Sequence, residues 1–187
     1  MSKLYLDLSK LYNHRAETSG IGTPGEDNYL KLNSLSFNQC LKNGEVECIF
    51  RKASNGDNVI CDSQILDINN ILIKKITLFG FCVWGYYKEK FILKYSDQTE
   101  GIAIAYFSDV VYPLTLSINN VMGIDRQIYM EGSQVFCDFI WDQQKGFMYY
   151  STTEFENATQ VKNATQVNKI IFPDNCLMHI FAITIEN

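Results

Sequence analysis

The sequence predicts an all-β chain folded as a two-sheet β-sandwich. Short apolar stretches alternate with a period of two: Phe91, Leu93 and Tyr95 fall on one side, Ile92, Lys94 and Ser96 on the other. That spacing belongs to a strand with one buried face. Turn signals built on Asn, Asp and Gly recur roughly every eight to twelve residues, the rhythm of a sandwich of many short strands. No stretch sustains the 3.6-residue period of a helix. At 187 residues the prior is a single domain over residues 1–187. A chain of that length buries about 70% of the surface it would expose unfolded, so its core can hold it without staples.

In order along the chain, Leu4 to Leu8 reads as a first strand, followed by a polar, glycine-bearing loop from Ser9 to Asn28. Ser34 to Leu41 and Val46 to Arg51 flank Lys42-Asn43-Gly44-Glu45, and Asn-Gly between apolar runs is a strong hairpin signal. A turn at Ser54 to Asp57 leads to two short edge strands, Asn58 to Cys61 and Gln64 to Ile68. The stretch Leu72 to Asp97 organises the rest. Its first run, Ile76 to Trp84, is apolar on both faces, as a doubly buried strand would be, and Phe91 to Tyr95 alternates. The two are expected to form the central hairpin. Asp97 to Gly101 turns into a strand at Ile102 to Phe107, and Ser108 to Gly132 reads as a long connection. Gln134 to Asp142 and Phe147 to Phe155 bracket a turn at Gln143 to Gly146. A tandem hexad, NATQVK then NATQVN, fills Asn157 to Asn168 as a local duplication in a loop, too few copies for a solenoid. Val167 to Phe172 and Met178 to Glu186, either side of Pro173-Asp174-Asn175, are expected to close the chain as a strand pair.

Hydrophobic residues make up 47% and charged residues 20%, with a formal net charge of −5. That composition is globular, and the acidic balance argues against a nucleic-acid surface, which needs clustered Lys and Arg. The opening MSKLYLDLSK has no apolar run of a signal peptide, and no segment approaches the ~20 apolar residues of a membrane helix. Six cysteines show no metal-like spacing, and Cys82 and Cys137 sit inside strand patterns as small hydrophobes would. The expectation is a cytoplasmic protein with free thiols, away from membranes. The sequons at Asn157 and Asn163 are then incidental. No cofactor is expected; structural calcium stays an open alternative that no stretch with the oxygen-ligand spacing of a calcium loop supports.

Several fragments, in chain order, resemble the galactose-binding-domain-like β-sandwich modules that accompany bacterial glycoside hydrolases. They are Leu6-Asp7-Leu8-Ser9 with Tyr12-Asn13; Asp57-Asn58-Val59-Ile60 with Gln64-Ile65; Ile76 to Gly80 with Trp84-Gly85; and Lys94 to Thr99. Phe107-Ser108-Asp109 follows, and the close is Ile171 to Asn175 and His179 to Glu186. Two positions depart from the pattern: Gln98 stands where a turn glycine is usual, and Val110 where Trp is usual. The resemblance implies a jelly-roll fold and a carbohydrate-holding role. It supplies no binding residue, because the matching stretches are strand and turn.

Sugar recognition needs an aromatic face for the C–H side of a pyranose and a few polar groups for its hydroxyls. Four places offer groups for that chemistry. Trp141 and Asp142 end a strand beside Gln143 and Gln144; Trp84, Tyr86 and Tyr87 are expected at the tip of the central hairpin with Lys88 and Glu89; Arg126 in the middle loop and His14 with Arg15 in the first loop bring polar groups. The two tryptophans lead, Trp141 slightly ahead of Trp84. Set against this, aromatics at strand ends commonly serve as core or cap, and His179, between Met178 and Ile180, suits a structural histidine. Catalysis finds less support. No G-x-S-x-G elbow exists, and Asp138, Asp142, Glu154 and Glu156 are the carboxylates on which a glycosidase or lyase would have to draw. The expected function is non-catalytic, lectin-like carbohydrate binding, and the alternative is a structural or protein-interaction module on the same fold.

Overall fold

The computed structural model describes residues 2–16, 36–110, 134–141, 144–155 and 166–187. These are all-β, in curled antiparallel sheets consistent with the predicted sandwich. The strands are β1 (Lys3–Tyr5), β2 (Cys40–Asn43), β3 (Val46–Ile49), β4 (Val59–Asp62), β5 (Ile65–Ile71) and β6 (Lys75–Cys82). They continue with β7 (Tyr87–Tyr95), β8 (Glu100–Phe107), β9 (Gln134–Trp141), β10 (Gln144–Glu154), β11 (Val167–Ile171) and β12 (Asp174–Glu186). One sheet runs β1-β12-β6-β10-β9, with β4 also paired to β12; a second runs β5-β11-β7-β8; β2 and β3 form a separate hairpin.

The doubly apolar run is explained by its place. Every residue of β6 beyond Lys75 is buried, because the strand lies mid-sheet with a layer on each side. On one face Phe79 and Phe81 meet Phe136, Phe139, Phe181 and the ring of Phe50, which follows β3, at 5.0–6.4 Å between centroids. The β2–β3 hairpin is held over that face: Thr184 Oγ1 donates to the Glu47 carbonyl (2.8 Å), and Tyr5 donates to the Glu47 carboxylate (2.8 Å). On the other face Gly80 faces the second sheet. A Cβ there would lie 2.1 Å from the His179 carbonyl oxygen and 2.9 Å from the Phe107 ring, so only glycine fits between β12 and β8.

Two expected pairings are corrected. The strands β6 and β7 belong to different sheets, so residues 83–86 form a crossing between sheets and no central hairpin exists. Likewise β11 pairs with β5 and β7 while β12 joins the other sheet. In both cases a short link, bearing Gly85 in one and Pro173 in the other, serves a crossing as well as a turn. The β2–β3, β7–β8 and β9–β10 hairpins do form. The first has Asn43 paired with Val46, so its loop is Gly44-Glu45, with Gly44 at φ +60. Gly146, expected in a turn, lies in β10 opposite Phe139, whose ring would sit 2.6 Å from a Cβ. The sheets also join along one side. Thr153 Oγ1 accepts from the Ile104 N–H (3.0 Å) and Ser151 Oγ donates to the Ile104 carbonyl (2.9 Å), so β10 hydroxyls satisfy the open edge of β8.

Candidate functional site

The crossing after β6 builds the most developed site. Cys82 donates its N–H to the Ser108 carbonyl (2.9 Å) and accepts from the Val110 N–H (2.8 Å), a parallel bridge that docks the end of β8 against β6. The Val110 side chain is buried. The chain then turns away: Val83 N–H bonds the Leu177 carbonyl (2.9 Å), Gly85 N–H donates to Asp109 Oδ2 (3.0 Å), and the Tyr87 hydroxyl donates to the Trp84 carbonyl (3.4 Å). Held this way, Trp84 takes φ +60 and Gly85 φ +135. A non-glycine residue in the left-handed region is strained by about 1–3 kcal/mol and persists only where its surroundings over-determine it.

The conformation aims rings outward. Trp84 is 64% exposed and Tyr86 47% exposed, while Tyr87 is half-buried and packs on the core. One carboxylate, Asp109, is bonded into the turn that carries them. Burial is the main cause that drives the Cys82 thiol pKa well up, and Cys61, then Asp109 and Glu89, add to it. Glu89 Oε1 accepts from Asn175 Nδ2 (2.7 Å), and Tyr149 donates to the Asp109 carbonyl (3.1 Å). Chemically this is a pair of exposed rings on a turn held by the Asp109 carboxylate.

A second polar cluster gathers around Asn58. Its Nδ2 lies 3.1 Å from His14 Nδ1 and 2.7 Å from Asp57 Oδ1, and its Oδ1 lies 3.0 Å from His179 Nδ1. Asp57 Oδ1 also accepts the Ala16 N–H (2.9 Å). The two imidazoles meet edge-on at 5.1 Å, and His179 stacks on Phe81 at 5.2 Å. Burial first, then His14, lowers the His179 pKa to about 3. His179 is thus a buried, hydrogen-bonded structural histidine. His14, expected on a solvated loop, is half-buried against it.

Of the expected site residues, Trp84, Tyr86 and Tyr87 are brought together, and His14 and Arg15 share the Asn58 region, where Arg15 bonds the Ser54 carbonyl. Trp141 ends β9 opposite Gln144 in the backbone register; its ring, Asp142 and Arg126 lie outside the described residues. Asp138 pairs with Phe147 and Glu154 with Lys75. Measured along β10, those two carboxylates stand roughly 23 Å apart at strand rise, beyond the ~5–9.5 Å of a glycosidase pair; Asp142 and Glu156 are outside the described residues. Sequence reasoning set Glu89 beside the Trp84, Tyr86 and Tyr87 rings but missed Asp109 as a partner of the crossing. The Phe107-Ser108-Asp109 fragment held the signal but read as a strand step. Among the described residues no group of His, Cys, Asp and Glu is arranged to hold a metal ion. No protein-family model matches the chain, and no curated protein matches it.

Proposed function

We propose that this is a non-catalytic carbohydrate-binding module on a jelly-roll, galactose-binding-domain-like sandwich, with its sugar platform at Trp84 and Tyr86. One observation carries the reading: Trp84 is 64% exposed on a backbone at φ +60, with the Val83 and Gly85 N–H groups hydrogen-bonded on either side of it. A ring that merely capped the sheet would gain from lying down on it. This ring faces water on a hydrogen-bonded turn, where a pyranose can stack on it and polar groups beside the turn can take its hydroxyls.

A glycan array followed by titration of the best ligand tests the reading. Trp84→Gly is the informative variant, because glycine keeps the left-handed turn and removes only the ring. Affinity is expected to fall by about fivefold to 150-fold, the ~1–3 kcal/mol scale of an aromatic face. Unchanged affinity would move the platform elsewhere, and an array on which no sugar binds would leave the interaction-module reading in its place.

A further inference from the structure

The outer face of the four-stranded sheet carries an isoleucine ladder. Register sets Ile65 opposite Ile171, Ile171 opposite Ile92, and Ile92 opposite Ile102, one residue from each strand in a single row. The neighbouring row, Leu66, Ile170, Leu93 and Gly101, points the other way, into the molecule. None of the four ladder residues belongs to the core or packs against it. Ile65 and Ile102, at the two ends, are 49% and 46% exposed, and the inner two are half-buried. The row crosses three strand spacings, about 14 Å. Scattered apolar residues on a surface are ordinary, but a contiguous stripe marks an interaction site.

The charges beside the ladder define what would fit. On one flank runs the row Asp67, Lys169, Lys94, Glu100, in which each end carboxylate pairs with the lysine beside it: Lys169 with Asp67 at 3.8 Å, and Lys94 with Glu100. On the other flank Lys90 stands opposite Ile104, and Lys88 lies over the Tyr106 ring at 4.9 Å. Among the described residues no carboxylate pairs with Lys88 or Lys90. Four lysines against two carboxylates leave this face two positive charges ahead, on a chain whose formal net charge is −5.

We infer that this face docks an acidic polypeptide segment with an apolar stripe, its stripe on the isoleucines and its carboxylates toward Lys88 and Lys90. A second copy using the same face fits worse. It would set Lys94 against Lys169 if the two-fold ran along the strands, and against Lys90 if it ran across them. A membrane fits worse too, since recruitment to anionic lipid draws on some four to eight basic residues and only two here are unengaged by carboxylates. The surface is separate from the Trp84 platform.

Fluorescence anisotropy tests this with three probes: an amphipathic peptide with leucines on one helical face and glutamates on the other, its lysine counterpart, and vesicles of phosphatidylserine in phosphatidylcholine. The glutamate peptide is expected to bind, more weakly as salt rises. Ile65→Ser with Ile102→Ser is expected to reduce binding at least about tenfold, the effect of losing interface anchors. Lys90→Glu is expected to weaken it severalfold, while Trp84→Gly leaves it unchanged. All the replaced side chains face solvent, and circular dichroism checks the fold of each variant. The inference is overturned if the glutamate peptide does not bind, if the lysine peptide binds as well, if the isoleucine variant binds undiminished, or if only the vesicles bind.

Discussion

Gln98 shows how a single departure in the sequence becomes physical. It lies at φ +72 in the β7–β8 turn, where Asp97 Oδ1 accepts the Thr99 N–H (3.0 Å) and hydroxyl (2.6 Å). A left-handed non-glycine residue costs about 1–2 kcal/mol, and glycine would return about 0.4–1 kcal/mol of that through unfolded-state entropy. Gln98→Gly is therefore expected to raise stability by about 0.5–1 kcal/mol, read as a higher urea midpoint at an unchanged slope. His179 gives a pH prediction. Its folded pKa, about 3, lies below the ordinary histidine value of 6.5, so below pH 6.5 the unfolded chain takes up a proton that the folded one refuses. Stability is expected to fall as pH drops from about 6.5 toward 3, by up to about 1.4 kcal/mol per unit. Glu47, held down to about 2 by hydrogen bonds from Tyr5, Lys3 and Lys42, adds its own loss only below about 4.5. The slope between pH 6.5 and 5 thus reports on the histidine, and its ring resonances should show no titration across pH 5–8 by NMR.

Elements were legible where their cause is local. Alternation located the strands, and the β2–β3, β7–β8 and β9–β10 hairpins could be read because the turn lies between the partners. The β6–β7 and β11–β12 links could not, because the choice between turning and crossing is made by strands far away in the chain: β12 and β10 claim both edges of β6. The candidate site divides the same way. Trp84, Tyr86 and Tyr87 are sequence neighbours and were visible, whereas Asp109 reaches Gly85 across 24 positions and Asn58 reaches His179 across 121. The seam between sheets makes its own prediction. Thr153→Val would strand the Ile104 N–H at an edge that no other described strand covers, at a cost of about 1–3 kcal/mol. Hydrogen exchange at the Ile104 amide should then quicken selectively; protection equal to the parent's would show that the hydroxyl does not close the seam.

At the scale of the whole molecule, all six cysteines carry free thiols, with Cys40 and Cys176 exposed, Cys137 intermediate, and Cys48, Cys61 and Cys82 buried. Burial raises the pKa of each of those three thiols, leaving little of the reactive thiolate. A thiol reagent should therefore modify two sites fast on the native protein and all six after denaturation without reductant. Blocked thiols in the denatured sample would contradict the unpaired arrangement. The pairing of Lys3 with Glu186 and Tyr5 with Thr184 also bears on how the protein is made. At about 5–20 residues per second, β1 leaves the ribosome roughly 10–40 s before the residues it pairs with. Through that interval β6, apolar on both faces, has β10 still to come and β12 later again. Pairings this distant are slow to form and leave apolar strands exposed meanwhile, so slowing translation ahead of β12 is expected to lower the soluble yield.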